Sequence, residues 1–150
     1  MTTSSRFVVA VHILTLLEHE GGRPVTSESI AGSVHTNPGF IRRLLSTLAQ
    51  AGLVTSQLGT GGGTRLAKPA PKIRLLDVYR AVESSAVFAM HHSQPNSDCP
   101  VGRNIQASLA GALRRAERAM EAELAETTIA DVVRSVHGRA RRARGAARGL

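Results

Sequence analysis

With one cysteine in 150 residues, Cys99, the chain cannot form an internal disulfide, and it carries no sign of a secreted disulfide scaffold. A membrane-length apolar run is also missing. Spanning a bilayer takes about 18–20 apolar residues, whereas the segment from Phe7 to Leu17 is shorter and is interrupted by His12 and Thr15. Nor does it read as a signal peptide: one arginine precedes it, and Glu18-His19-Glu20 stands where small cleavage-site residues would be needed. No membrane partner is expected, and the cytoplasm is the consistent compartment. Enzyme motifs are absent as well. The six histidines show no HExxH spacing and no GxSxG sets a serine on a strand-to-helix elbow. The expectation is a non-enzyme with no cofactor.

What the chain does have is positive charge in blocks. It carries 19 Lys and Arg against 11 Asp and Glu. Residues 1–82 hold a net +5, residues 83–136 a net −2 and residues 137–150 a net +5. Apolar residues make up 42%, and a chain of this length buries roughly two-thirds of its unfolded surface, enough for one core.

The densest signals lie between Thr26 and Arg65. Thr26 suits the N-cap of a helix over about residues 27–34, with Glu28 adding favourable charge in the first turn. Ile30, Ala31 and Val34 give that short helix one apolar stripe. His35-Thr36-Asn37-Pro38 then breaks the pattern: a residue before proline leaves the helical region, and proline suits the first position of a new helix. Asn37 is the expected cap. Ile41, Leu44, Leu45 and Leu48 follow at helical spacing on the core side, leaving Gly39, Arg42, Arg43, Ser46, Thr47 and Gln50 outside. Two arginines near a helix N-terminus oppose the macrodipole, and phosphate would reverse that sign. In a helix-turn-helix the start of the second helix enters the major groove, so Arg42 is the expected base reader and Arg43 the expected phosphate contact.

Gly52 fits the left-handed position that closes a helix. Leu53 to Leu58 and Thr64 to Ala67 then read as hairpin arms around Gly59-Thr60-Gly61-Gly62-Gly63. Such a wing can lie over a phosphate backbone. A nucleotide-phosphate loop is set aside, because no GxxxxGKS/T occurs and Thr64 stands where GxGxxG needs its third glycine. Arg65, Lys68, Lys72 and Arg74 make the wing's exit basic. The partner expected from these residues is double-stranded DNA.

Further on, Ile105, Leu109, Leu113, Ala116, Met120 and Leu124 recur every three or four residues, with Ala112 and Ala119 widening the stripe. A long helix with that stripe needs cover, and a two-fold pairing of the chain with itself is the commonest solution. Ile105, Leu109, Ala112, Leu113, Ala116, Met120 and Leu124 are therefore the expected dimerisation residues. Thr128 and Asp131 form a capping-box pair that starts a final helix with Ile129, Val132, Val133 and Val136. From His137 onward arginine alternates with alanine and glycine, and a disordered basic tail is expected. That tail either adds sequence-independent phosphate attraction or merely solubilises the end.

Together, Asn37-Pro38-Gly39-Phe40-Ile41-Arg42-Arg43-Leu44-Leu45, Ala51-Gly52-Leu53-Val54, the wing glycines, Leu75-Leu76-Asp77-Val78-Tyr79-Arg80-Ala81-Val82-Glu83, Cys99-Pro100-Val101-Gly102 and Thr128-Ile129-Ala130-Asp131 resemble the BadM/Rrf-two family of bacterial transcription regulators. The resemblance spans the chain to about residue 136. It implies a mainly α fold with a small β-hairpin wing, that is, a winged helix-turn-helix plus a long C-terminal dimerisation helix. The division it suggests is a DNA-binding domain over 1–83, a connecting or sensor loop over 84–103, dimerisation helices over 104–136 and the basic tail over 137–150. It further implies a dimeric regulator, often a repressor, with DNA contacts from Thr36, Asn37, Gly39, Phe40, Arg42 and Arg43 and from the wing glycines Gly61 and Gly62. Thr26 and Arg65 are expected contacts from their own positions, and a homodimer calls for a pseudo-palindromic operator. The chain departs from the family at Leu58, where a basic residue is usual, and at Thr64, where an aromatic one is usual. Either the wing contacts are weaker or Arg65 substitutes.

Family members that sense iron–sulfur chemistry use three closely spaced cysteines, and Cys99 alone cannot build such a site in one protomer. As a candidate sensor Cys99 leaves three readings open: a small packed residue, a redox- or electrophile-sensitive thiol, or a metal ligand with His91 or His92. A small-molecule effector is a further open reading. The alternative function is a winged helix that joins proteins or binds RNA without promoter specificity.

Overall fold

The computed structural model describes residues 4–149. Helix α1 (Arg6–His19) is followed by α2 (Ser27–Val34) and α3 (Pro38–Gln50), then by strands β1 (Val54–Gln57) and β2 (Gly63–Leu66). A 3-10 turn over Ala70–Lys72 leads to α4 (Leu75–Val82), and two long helices, α5 (Pro100–Glu126) and α6 (Ile129–Arg148), complete the chain. A mainly helical fold with one antiparallel hairpin is what the sequence leads one to expect.

The core forms where the apolar periods of the first four helices meet. In α3, Ile41, Leu44, Leu45 and Leu48 are all buried, each side chain worth about 1.5–3 kcal/mol relative to exposure. In α1 the buried set is Ala10, Ile13, Leu14 and Leu17, while Phe7 and Val11 are only partly covered. Ile13 lies beside the stripe that Phe7, Ala10, Val11, Leu14 and Leu17 form at helical spacing, and it is buried because α1 packs against α2, α4, β2 and α6, so a wider arc of its surface is enclosed. Ala51 ends α3 and Gly52 turns left-handed at φ 74°, which frees the chain to enter β1.

The hairpin register pairs Val54 with Leu66 and Gln57 with Gly63. A third partner lies outside the hairpin: Val25 exchanges both backbone hydrogen bonds with Thr64, at 2.8 and 2.9 Å. That short bridge ties the base of the wing to the segment just before α2. Thr64 is consequently buried, and its hydroxyl meets that of Ser56 at 3.1 Å.

At the other end of the domain, Asp77 accepts hydrogen bonds from the backbone N–H and the guanidinium of Arg74, at 2.9 and 2.8 Å, and fixes the first turn of α4. The guanidinium bond holds the Asp77 carboxyl below its ordinary pKa. Thr128 and Asp131 form the reciprocal cap of α6, and its hydrogen bonds lower the Asp131 pKa in the same way. The turn between α5 and α6 is stitched onto the domain by Leu75 N–H to Thr127 carbonyl and Ile129 N–H to Ile73 carbonyl, both 2.8 Å.

The last two helices depart from the expected limits. Helix α5 starts at Pro100, inside the segment read as a connecting loop, because proline is suited to a first helical turn and Cys99 takes the cap position. More substantially, α6 does not stop near Val136: residues 137–148, expected to be disordered, continue the helix to Arg148, while Leu150 lies outside the described residues. The physical reason is propagation. Helix initiation is the costly step, and the Thr128 cap with buried Ile129 and Val133 has already met it. Alanine and arginine then extend the helix readily despite Gly138 and Gly145.

Candidate nucleic-acid interface

The cap of α3 sets the geometry of the site. Asn37 is extended (φ −81°, ψ 145°), and its Oδ1 accepts the Phe40 N–H at 2.8 Å, with Pro38 in the first turn. A β-carbon on Gly39 would lie 3.2 Å from that oxygen, so glycine leaves the cap undisturbed. Thr26 repeats the device on α2, where its Oγ1 accepts the Ser29 N–H at 3.2 Å. Between the two helices His35 adopts the left-handed region at φ 66°, a conformation that nothing local to a histidine announces. Thr36 then donates its N–H to the Ala31 carbonyl at 3.0 Å.

Both arginines of α3 reach solvent. The Arg42 guanidinium lies 3.2 Å from Glu28 Oε1 of α2, with the two side chains 59% and 69% exposed. A pair so exposed is worth at most about 1 kcal/mol. It can orient Arg42 across the helix-turn-helix and still yield to a guanine edge or a phosphate. In the sequence Glu28 is legible only as favourable charge at a helix start; its contact across the turn comes from the tertiary fold.

Beside Arg42 an open groove of about 310 Å³ separates α3 from the wing, lined among others by Ser46, Ala49, Gln57 and Leu58. Arg65 on β2 is exposed and donates to Gln57 Oε1 at 2.9 Å, so both face the same strand surface. Leu58 is 96% exposed at the start of the wing loop. Gly61 stands in the open: a β-carbon there would meet nothing within 4 Å. Gly62 differs, since a β-carbon would lie 2.1 Å from the Gln57 carbonyl oxygen, so this glycine is required to close the hairpin.

Glu28 and Arg42 therefore come together across the helix pair, and Arg42 shares the groove with the wing, whereas Thr26 is engaged in the cap of α2 and does not line that groove. Phe40 packs partly against the core and anchors the start of α3. Ser46, on the outward face of α3, lines the groove opposite Gln57 and Leu58; Gln57 has no sequence signal for this place, since only the folded hairpin brings it to α3.

The Rrf2 family profile, described as an iron-dependent transcriptional regulator, matches residues 3–135. The chain belongs to the Rrf2 family of bacterial transcriptional regulators. The candidate HTH-type regulator YwnA of Bacillus subtilis is 42% identical over 130 residues, which cover 87% of this chain and 96% of YwnA. A crystal structure of a candidate DNA-binding protein is 41% identical, with a TM-score of 0.68 over 85% of this chain and 98% of the other. IscR of T. potens superposes with a TM-score of 0.67 at 25% identity, covering 91% of this chain and 88% of IscR. The Rrf2 family is a family of transcriptional regulators and not of enzymes.

The iron in the family's description does not fit the donor set of this Rrf2 protein. Cys99 is its single cysteine and sits half-buried at the cap of α5. Among the described residues no three His, Cys, Asp or Glu side chains converge on a point where a metal ion could be held. His91 lies instead beside Gln106, at 3.4 Å. Among the described residues, no helix is long and apolar enough to cross a membrane.

Proposed function

We propose that this Rrf2 protein is a cytoplasmic homodimeric repressor that reads a pseudo-palindromic operator with two copies of α3. The observation that carries this reading is the capped start of α3: its apolar face is fully used in the core, while Arg42 and Arg43 stand exposed beside a glycine-tipped wing. YwnA and the DNA-binding structural relative support the same partner. Thr26, Thr36, Asn37, Gly39 and Arg43 serve the phosphate backbone, Arg42 the base edges, and Gly61 and Arg65 the wing contact. Phe40 and Gly62 hold the shape of that surface.

Self-association is supported by α5, none of whose 27 residues is buried within the chain. Ile105, Leu113, Met120 and Leu124 are half-covered, and Leu109, Ala112 and Ala116 are exposed. Nearby, Val87, Phe88, Met90 and Val101 add apolar surface that is at least two-fifths exposed. A two-fold pairing of α5 covers this surface and places the two α3 helices in successive major grooves, about 34 Å apart.

Selection of duplexes from a random pool tests the reading. The expected product is an inverted repeat with half-sites one helical turn apart. Arg42→Ala is expected to relax preference at one base position per half-site, a loss of about 1–3 kcal/mol of discrimination. Equal losses on selected and scrambled duplexes would refute its role as a reader. Recovery of RNA or a protein partner in place of any duplex motif would favour an interaction module.

A further inference from the structure

The C-terminal part of α6 lies beyond the family match, which ends at residue 135. His137 makes its last side-chain link to the domain, with Nε2 2.9 Å from His19 Nδ1 at the end of α1. After half-buried Gly138, every described residue from 139 to 149 is exposed. Eleven helical residues from 138 to 148 reach about 16 Å past that link, at 1.5 Å each.

The charge on this arm is one-sided. Residues 138–149 contain Arg139, Arg141, Arg142, Arg144 and Arg148 and no carboxylate. Arg134, His137, Arg141, Arg144 and Arg148 follow at spacings of three and four, which aligns them along one helix face, with Arg142 about a third of a turn away and Arg139 on the opposite side. Among the described residues none of the five arm arginines pairs with a carboxylate; elsewhere the arginines are mixed, with Arg23, Arg42, Arg74, Arg80 and Arg134 paired and others such as Arg43 and Arg65 not. Like charges three and four residues apart oppose the helix by a few tenths of a kcal/mol per pair, and a polyanion laid along it relieves that repulsion.

We infer that the arm of α6 is a second DNA-binding element, gripping duplex phosphates without regard to sequence. Arginine's planar fork suits phosphate oxygens. A bilayer surface is disfavoured as the occupant because the arm's apolar residues are alanines only, with no large side chain to bury. The inference rests on the DNA-binding reading but makes a separate prediction: α3 governs the ratio of affinities between operator and scrambled duplex, and the arm governs their common level and salt dependence.

The test compares the full chain with a variant carrying Arg→Gln at 139, 141, 142, 144 and 148, and with the matching Arg→Lys variant, on selected and scrambled duplexes across a salt series. Circular dichroism and sedimentation establish that all three share fold and assembly. Each phosphate released flattens the slope of log affinity against log salt by about 0.9. With two arms per dimer engaging two to five phosphates each, the glutamine variant is expected to lose about 4–9 in slope. Both duplexes should weaken together, by at least about tenfold at 50 mM salt, and the lysine variant should keep most of the slope. Equal slopes for the full chain and the glutamine variant would overturn the inference, as would a loss seen only on anionic vesicles or RNA. Failure of the full chain to prefer any selected duplex, with the slope change intact, would overturn the promoter reading and leave the arm's phosphate grip standing.

Discussion

Helices α3 and α5 carry the same kind of apolar stripe, yet α3 buries all four of its stripe residues and α5 buries none. The difference lies in what surrounds them. Helix α3 is enclosed by α1, α2, α4 and β1, whereas α5 leans on α4, where Arg80 meets Glu121 at 3.0 Å, and otherwise runs free for most of its roughly 40 Å. A stripe at helical spacing therefore says that a face will be covered, and the fold decides whether the cover comes from the same chain. In α3 that cover comes from the same chain and leaves Arg42 and Arg43 exposed on the opposite face; in α5 no residue is buried by the chain itself, which is the surface the proposed pairing of two copies would cover.

Substitutions that shorten equivalent leucines sharpen this contrast most. Leu44→Ala is expected to cost about 2–5 kcal/mol, because its side chain is fully buried and a cavity is left behind. Urea unfolding with an unchanged slope would measure it. Leu109→Ala, at a position 42% exposed within one chain, should cost a small fraction of that in a monomeric background. Leu109→Glu should move the sedimentation equilibrium toward monomer while leaving the circular dichroism of the domain intact. A dimer unaffected by Leu109→Glu would mean that α5 is covered by something other than its copy.

The caps give intermediate effects. Asn37→Ala removes the acceptor for Phe40 N–H and is expected to destabilise the chain by about 0.5–2 kcal/mol, with a larger loss of operator affinity than of scrambled-duplex affinity because the start of α3 is no longer held. The smallest effect is the acid dependence of α4 and α6. Asp77 and Asp131 have folded pKa values below their ordinary ones, so their contribution is present above the unfolded value near pH 4 and is lost as pH falls through the folded values. Thermal unfolding should show this loss below about pH 4, and Asp77→Asn should reduce it.

Much of the winged helix is legible in the sequence because its signals are local. Thr26, Asn37, Pro38 and Gly52 act on backbone groups one to three residues away, and their order alone marks two helices, a turn and an exit strand. The parts that are not legible depend on distant partners. The bridge between Val25 and Thr64 spans 39 positions of sequence, and Glu28 meets Arg42 across the turn. Ile13 is enclosed because α2, α4, β2 and α6 all pack against α1. The arm of α6 escapes a compositional reading for a different reason: composition describes an isolated segment, while a helix already nucleated upstream extends through arginine and alanine at little cost. At the site, Arg42 and the wing stand out in the sequence, but the glycine at position 62 answers to the hairpin's own closure before any contact with DNA.

The most direct measurement is fluorescence anisotropy of the purified chain against duplexes from its own upstream region and a shuffled control, at several salt concentrations and with Cys99 reduced. The account predicts a specificity ratio of about 1,000 or more, and in Arg42→Ala a loss of about 1–3 kcal/mol of discrimination at one base position per half-site. Equal affinity for both duplexes, persisting after selection from genome-wide fragments, would contradict the claim that α3 reads an operator.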